Sequence, residues 1–256
     1  MCMEPAVNPS ISVDCVVFGF DDTELKVLLV DIIKDPEGAD LSTVKHERKL
    51  PGSMIGERED LSAAAHRSLS ELTGLNDIFL RQLYVFSDPD RISKPEDLNW
   101  VSKTYGVKVN RIVTVAYYAL VKINKSVLQH TIEGVAKWHS VLDIRHLAFD
   151  HKSILLKALE VLSQQLLNEP LAFELLPKRF SIRQLQNLYE AVLGIDIDNR
   201  NFRKKVLNFP CIKPLEEKEK GVAHKPARLY KFDKLMYEKD IKQKMKYNLN
   251  FIRISD

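Results

Sequence analysis

The chain has 256 residues, a length that suits two domains of roughly 100 to 200 residues each. With 45% hydrophobic and 29% charged residues, and only 9 Gly and 11 Pro, it is not collagen-like, low in complexity or wholly disordered. The formal charge of +3 hides an asymmetry: residues 1–169 carry 19 basic against 24 acidic side chains, whereas residues 170–256 carry 19 against 11.

Clustered Lys and Arg gain affinity for phosphate by releasing counterions, so the basic terminal half suggests a polyanion partner; a solvated lysine-rich tail is the bland alternative. No apolar run approaches the ~18 to 20 residues of a membrane helix, and residues 1–10 have neither a basic nor an apolar signal region. No membrane partner is expected. Cys2, Cys15 and Cys211 lie far apart without a CxxC pair, which indicates neither a disulfide framework nor a thiolate zinc site. A reducing cytoplasm fits these features.

In chain order, the first half reads as α/β. Residues 11–20 and 25–33 are apolar, β-branched runs separated by Asp21-Asp22-Thr23-Glu24, a hairpin signal. A short extended piece at 49–55 precedes a helix over 60–73, where Leu61, Ala64, Ala65, Ser68, Leu69 and Leu72 recur at helical spacing and Gly74 stops the run. Strands are expected at 80–86, 112–121 and 135–141, and a long amphipathic helix at 153–167, ended by Glu169-Pro170. The connection over 87–110, with Pro89, Pro95 and Gly106, is oversized and is a candidate for the edge of a ligand pocket, an idle surface insertion being the alternative. Within it Trp100 is either a lid over a ligand or an aromatic packed on its own domain.

Segment 51–75, PGSMIGEREDLSAAAHRSLSELTGL, resembles the Nudix box in spacing throughout. Glu59, Arg67, Leu69, Glu71, Gly74 and Leu75 match the pattern. Ser53 replaces its opening glycine, Ser68 the glutamate after the arginine, and Leu72 the second of the paired glutamates. Positions 68, 71 and 72 stand at i, i+3 and i+4, so three carboxylates there would share one helical patch and hold the magnesium that neutralises a diphosphate. Only Glu71 survives. Leucine cannot ligate a hard cation, and Leu72 instead extends the apolar stripe. No catalytic residue is assigned and no metal site is expected, although a magnesium ion could lean weakly on Glu71, with Glu57 or Asp60 as substitutes.

The second half carries a different signal. From Phe180 a helix capped by Ser181 places Leu185, Leu188, Tyr189 and Val192 on one face, breaks at Gly194, and is followed by a helix at about 200–207. Arg200, Asn201, Arg203, Lys204 and Lys205 occupy the polar sides of that second helix while Phe202 and Val206 anchor its back, as in a helix that reads DNA. A generic basic surface helix is the alternative. Two strands at 211–215 and 227–232, joined by the charged loop 216–226, outline a wing on which Lys225 and Arg228 would meet phosphate or the minor groove.

Together these halves closely resemble the Nudix-related transcriptional regulators, a Nudix-like sensor followed by a winged helix. The resemblance spans about residues 11–233 and rests on Phe149-Asp150-His151, Phe173-Glu174-Leu175-Leu176-Pro177, Leu185-Gln186-Asn187-Leu188-Tyr189-Glu190-Ala191, Asn199-Arg200-Asn201-Phe202-Arg203-Lys204-Lys205 and Pro226-Ala227-Arg228-Leu229-Tyr230-Lys231-Phe232. It implies an α/β Nudix-like sandwich, a mixed sheet with flanking helices, over 1–150, a linker helix over 151–170 and a winged helix-turn-helix DNA-binding domain over 171–256. It also implies a homodimeric repressor on a double-stranded operator, with a sugar or nucleotide-sugar effector; arabinose is the nearer branch and ADP-ribose the other. The alternative function is an active Nudix hydrolase of ADP-ribose-type nucleoside diphosphates with an accessory domain. His146 and His151 lack companion ligands for a metal site, and His151 is expected to begin the linker helix. Tyr117 and Tyr118 point to opposite faces of their strand, so at most one can look into a pocket.

Overall fold

A computed structural model of the chain describes residues 7–34, 45–123, 127, 136–221 and 225–244; Cys2 lies outside them. Two compact units result, one of Met1–Gly19 with Lys26–Leu159 and one of Phe20–Leu25 with Glu160–Asp256.

In the first unit the apolar runs form β1 (Val7–Phe20) and β2 (Leu25–Lys34). Their turn is fixed by Asp21, whose carboxylate accepts the backbone N–H groups of Thr23 and Glu24. The extended piece at 49–55 divides into the end of β3 (Lys45–Lys49) and β4 (Gly52–Gly56). With β5 (Arg81–Phe86), β6 (Val113–Lys122) and β7 (Ala136–Ser140) these strands make one seven-stranded sheet of order β3-β2-β1-β6-β5, in which β4 also pairs with β1 and β7 with β2.

Helix α1 (Leu61–Thr73) runs as the periodicity predicts. Asp60 caps it by accepting the Ala63 N–H, and Gly74 closes it in the left-handed region at φ 71°. The connection over 87–110 differs from expectation, because it contains a helix, α2 (Pro95–Tyr105). Pro95 opens that helix, where a missing N–H is harmless, Glu96 and Asp97 favour its positive end, and Gly106 ends it at φ 64°. Helix α3 (His151–Asn168) begins at His151.

Both sheet faces are covered, but differently. Alternation along β1 sends Val13, Cys15 and Val17 to the face that Ala64, Ala65 and Leu69 of α1 cover, with Val115, Tyr117 and Ala119 of β6 beside them. Ser12 and Asp14 go to the opposite face, under Val101, Val109 and Ile112 of the α2 segment and Met54 of β4.

The second unit holds α4 (Ala172–Leu175), α5 (Ile182–Leu193), α6 (Asn199–Leu207), β8 (Ile212–Lys218), β9 (Arg228–Phe232) and α7 (Lys234–Lys244). Ser181 and Gln184 form a reciprocal capping box at α5, and Gly194 ends it at φ 67°. The turn to α6 is stiffened by Gln186, whose amide donates to Glu190 and to the Ile197 carbonyl, while Glu190 also accepts the Ile197 N–H. β8 and β9 pair antiparallel, Ile212 opposite Phe232 and Pro214 opposite Tyr230. Phe173 stacks on Phe232 at 4.0 Å and lies 5.5 Å from the buried Phe180, at the edge of the core of this small domain.

Candidate functional site

The Nudix-like segment survives as a strut. The Arg67 fork donates to Glu59 through Nε at 2.7 Å and Nη2 at 2.8 Å, and it also reaches the Met54 carbonyl and Glu71. Glu59 accepts the Gly56 N–H as well, and the Arg67 hydrogen bonds hold its carboxyl below the usual carboxylate range. These bonds tie α1 to the end of β4. Ser68 is fully buried, with no hydrogen-bond partner for its Oγ among the described residues. Leu72 packs partly buried on the apolar core. Glu71 is exposed and ion-paired to Arg67, and the Asp60 carboxylate is occupied by the cap of α1. Among the described residues no group of three or more His, Cys, Asp or Glu could hold a metal ion. The donors at 68, 71 and 72, a buried hydroxyl, one ion-paired carboxylate and an alkyl group, do not fit magnesium.

The polar chemistry lies on the other face of the sheet, around a cavity of about 50 Å³ bordered by β1, β4 and α2. Burial drives the Asp14 carboxyl up to about 7, against the pull of Lys49 and Arg91. Lys49 is pushed down by the same desolvation, and its ammonium donates to the carbonyls of Leu50 and Gly52. His151 is held well below its ordinary value by burial and by Lys49, Arg91 and Lys34, which keeps the ring neutral. Its Nδ1 accepts the Leu50 N–H at 3.0 Å and its Nε2 lies 3.6 Å from Asp14. Ser12 and Thr114 share a hydrogen bond at 2.6 Å, and Arg91 donates to Thr114. Ser53, the residue in place of the box's opening glycine, presents a buried Oγ with no partner among the described residues. Gly52 has no room for a side chain, since a Cβ would meet Asp14 Oδ1 at 1.9 Å.

The segment over 87–110 supplies the roof. Arg91, Ile92, Trp100, Val101 and Tyr105 all line the cavity. Trp100 donates to the Ile33 carbonyl at 3.0 Å and packs its ring 5.7 Å from Phe149, a residue held at φ 57°. Lys34 bonds to Asp97 of α2 and to Glu47, and its ammonium lies 4.5 Å from the Phe149 ring centre. Burial works against this ammonium, yet its two carboxylate partners raise its pKa above the ordinary value. Apolar walls with convergent polar groups of shifted pKa are the usual makings of a ligand site. Neither Tyr117 nor Tyr118 borders the cavity; both are buried in the sheet. Asp14, Lys49 and Arg91 were not among the residues singled out from sequence. The available signal was a lone carboxylate inside the apolar run of β1.

In the winged domain, α6 buries Phe202 and Val206 and leaves Arg200, Asn201, Arg203, Lys204 and Lys205 exposed along its outer side. Asp198 caps it through the Asn201 N–H. Among the described residues no ion pair engages Arg200, Arg203 or Lys204. Lys225 and Arg228 are also exposed, with Arg228 bonded to the Leu215 carbonyl and to Glu216 within the wing.

A Nudix-like α/β domain with a C-terminal winged helix is the class that these features define. Residues 172–232 match the NrtR DNA-binding winged helix domain. The chain is 28% identical over 251 residues to the ADPR responsive transcriptional repressor NtrR of Acinetobacter baylyi, covering 94% of this chain and 88% of that one. Among solved structures, NrtR of Shewanella oneidensis in complex with a 27mer DNA shares 27% identity at a TM-score of 0.63, over 87% of this chain and 93% of that one. A MutT/nudix family protein from Enterococcus faecalis shares the fold, at 24% identity and a TM-score of 0.58, over 91% and 89% of the two chains. The chain thus joins a Nudix-like α/β domain to a C-terminal winged helix domain and is similar over most of its length to NrtR-type, Nudix-related regulators. None of these relatives is named for arabinose, the effector class that the sequence resemblance placed first.

Proposed function

We propose that this chain is a transcriptional repressor that binds a double-stranded operator as a homodimer in the cytoplasm. Its Nudix-like domain takes ADP-ribose or a closely related nucleotide sugar as effector and does not cleave it. The observation that carries this reading is the split of the first unit, in which the box helix has lost its metal donors to the core while the opposite sheet face keeps a built polar cavity. The similarity to an ADPR responsive repressor favours ADP-ribose over arabinose.

Pockets for drug-sized ligands run about 300 to 1,000 Å³, so the cavity of about 50 Å³ would take a whole nucleotide sugar only if α2, its roof, moved. On the DNA side, Asn201, Arg203 and Lys204 read bases in the major groove from the start of α6, with Arg200 and Lys205 beside them, while Lys225 and Arg228 meet the backbone. Selection from a random duplex pool tests this. One sequence is expected to emerge. Arg203→Ala then costs about 1 to 3 kcal/mol on that sequence and relaxes its preference, while Lys225→Ala weakens all duplexes alike and lowers the salt slope by about one ion. A pool that yields no enriched sequence contradicts the operator reading.

A further inference from the structure

The insertion that roofs the cavity also grips the head of α3, at two points. Trp100 packs on Phe149, and Arg91 holds Asp150 with two parallel bonds, from Nη2 at 2.6 Å and Nε at 2.8 Å. Arg91 is placed by a turn in which its N–H bonds to the Asp88 carbonyl, and its third arm donates to Thr114. The Asp150 carbonyl in turn accepts the N–H groups of Ser153 and Ile154 in the first turn of α3. The strand that β1 pairs with joins in, since Leu50 next to β4 donates its N–H to His151.

Arg91 has a second neighbour. Besides that cavity it borders a larger cleft of about 430 Å³, with Tyr84, Phe86, Asp88, Asp150 and Ser153 around it. That volume lies in the range of a nucleotide-sized ligand. Both cations at the cavity are engaged, Lys49 by two backbone carbonyls and Arg91 by Asp150, Thr114 and the Ile112 carbonyl, but Lys49 does not border the larger cleft. Arg91 lines both cavity and cleft, its planar fork closed on Asp150, and a guanidinium fork fits a phosphate as well as it fits a carboxylate.

We infer that Arg91 is the phosphate-receiving residue of the effector site, and that taking a phosphate there releases Asp150 and with it the head of α3. The inference rests on the nucleotide-sugar reading above and adds its regulation. The exchange is electrostatically balanced. The Arg91 side chain is 4% exposed and keeps an anion against it throughout, so no buried charge is left uncompensated. Asp150, at 14%, already borders the open cleft and turns out to water. An effector that reaches past Arg91 into the smaller cavity also lifts the roof, and lifting it takes Trp100 off Phe149. A ligand that is bound better by the released form shifts the balance toward it, and that differential affinity is the whole of its leverage.

Amide hydrogen exchange of the full-length protein, followed by mass spectrometry with ADP-ribose, adenosine or inorganic diphosphate, tests this. ADP-ribose and diphosphate are expected to speed exchange over residues 151–156 at least tenfold, and adenosine to leave it unchanged. Asp150→Asn, which keeps an oxygen for the guanidinium but removes the competing charge, is expected to exchange faster without ligand and to bind ADP-ribose at least tenfold more tightly by calorimetry. Arg91→Ala is expected to lose at least tenfold in ADP-ribose affinity. If the wild type binds ADP-ribose while exchange at 151–156 stays fixed and Asp150→Asn binds no better, the release of α3 is wrong and the effector reading stands. A wild type blind to ADP-ribose but responsive to diphosphate keeps the Arg91 exchange and overturns the effector. Response to neither overturns both.

Discussion

The two faces of the first unit's sheet are built from the same strands yet hold opposite chemistry. On the α1 side, Val13, Cys15, Leu69 and Ala64 make a dry core, and the box helix contributes Leu72 where a metal-holding helix would offer a carboxylate. On the α2 side, Ser12 and Asp14 of the same β1 strand meet Lys49, Thr114, Arg91 and His151 around a cavity. A period of two is enough to separate them. The lesson is that the box helix, without metal donors at 68 and 72, serves as packing, while the buried polar groups gather on the opposite face.

The sharpest way to test that division is to cut into each face. Leu69→Ala on the dry side removes a side chain that is 1% exposed and is expected to cost about 2 to 5 kcal/mol in denaturant unfolding, with no change between pH 4 and 8. A pH-dependent loss there would mean that the two faces are not separate.

On the polar side the signature is pH. The folded Asp14 carboxyl titrates at about 7 and the unfolded one at 3.8, so between those values the folded state binds the extra proton and stability falls as pH rises. An asparagine side chain has no proton to bind, so the stability of Asp14→Asn relative to wild type is expected to improve across pH 4 to 7, by up to about 4 kcal/mol. His151, lowered by burial, tilts both proteins the other way below its ordinary 6.5, and the part of that tilt coupled to Asp14 across 3.6 Å stays in the difference. A pH-independent difference would remove Asp14 from the buried cluster. Smaller still is Gly52→Ala, whose Cβ would stand 1.9 Å from Asp14 Oδ1 and 2.5 Å from the Val13 carbonyl. Overpacking of this kind costs about 1 to 3 kcal/mol, and ADP-ribose binding is expected to fall with it. Unchanged affinity in Gly52→Ala would place the effector elsewhere.

Much of this was legible in the sequence because it is written locally. The box spacing, Gly74 after α1, the Ser181 cap, the break at Gly194 and the anchored face of α6 are all periodicities or caps, and each stands where it was read. Helix α2 was missed although Pro95 and Gly106 bracket it in the positions a helix tolerates, because the same residues also mark loops. The cavity was not legible. Asp14, Lys49, Arg91 and His151 come from distant parts of the chain, and nothing in a strand's alternation says which charge a lone buried aspartate will find. The choice between arabinose and ADP-ribose was not legible either, since the spacing and donors of a box concern metal binding and not the identity of a ligand.

One measurement reaches the central claim. The full-length protein is incubated with its selected duplex, magnesium and ADP-ribose, while DNA release is followed by fluorescence anisotropy and AMP by chromatography of the same mixture. ADP-ribose is expected to release the duplex with no AMP above the blank. AMP formed at an ordinary enzymatic rate of order 1 per second or more, with the duplex still bound, would contradict it and identify the Nudix-like domain as a working hydrolase.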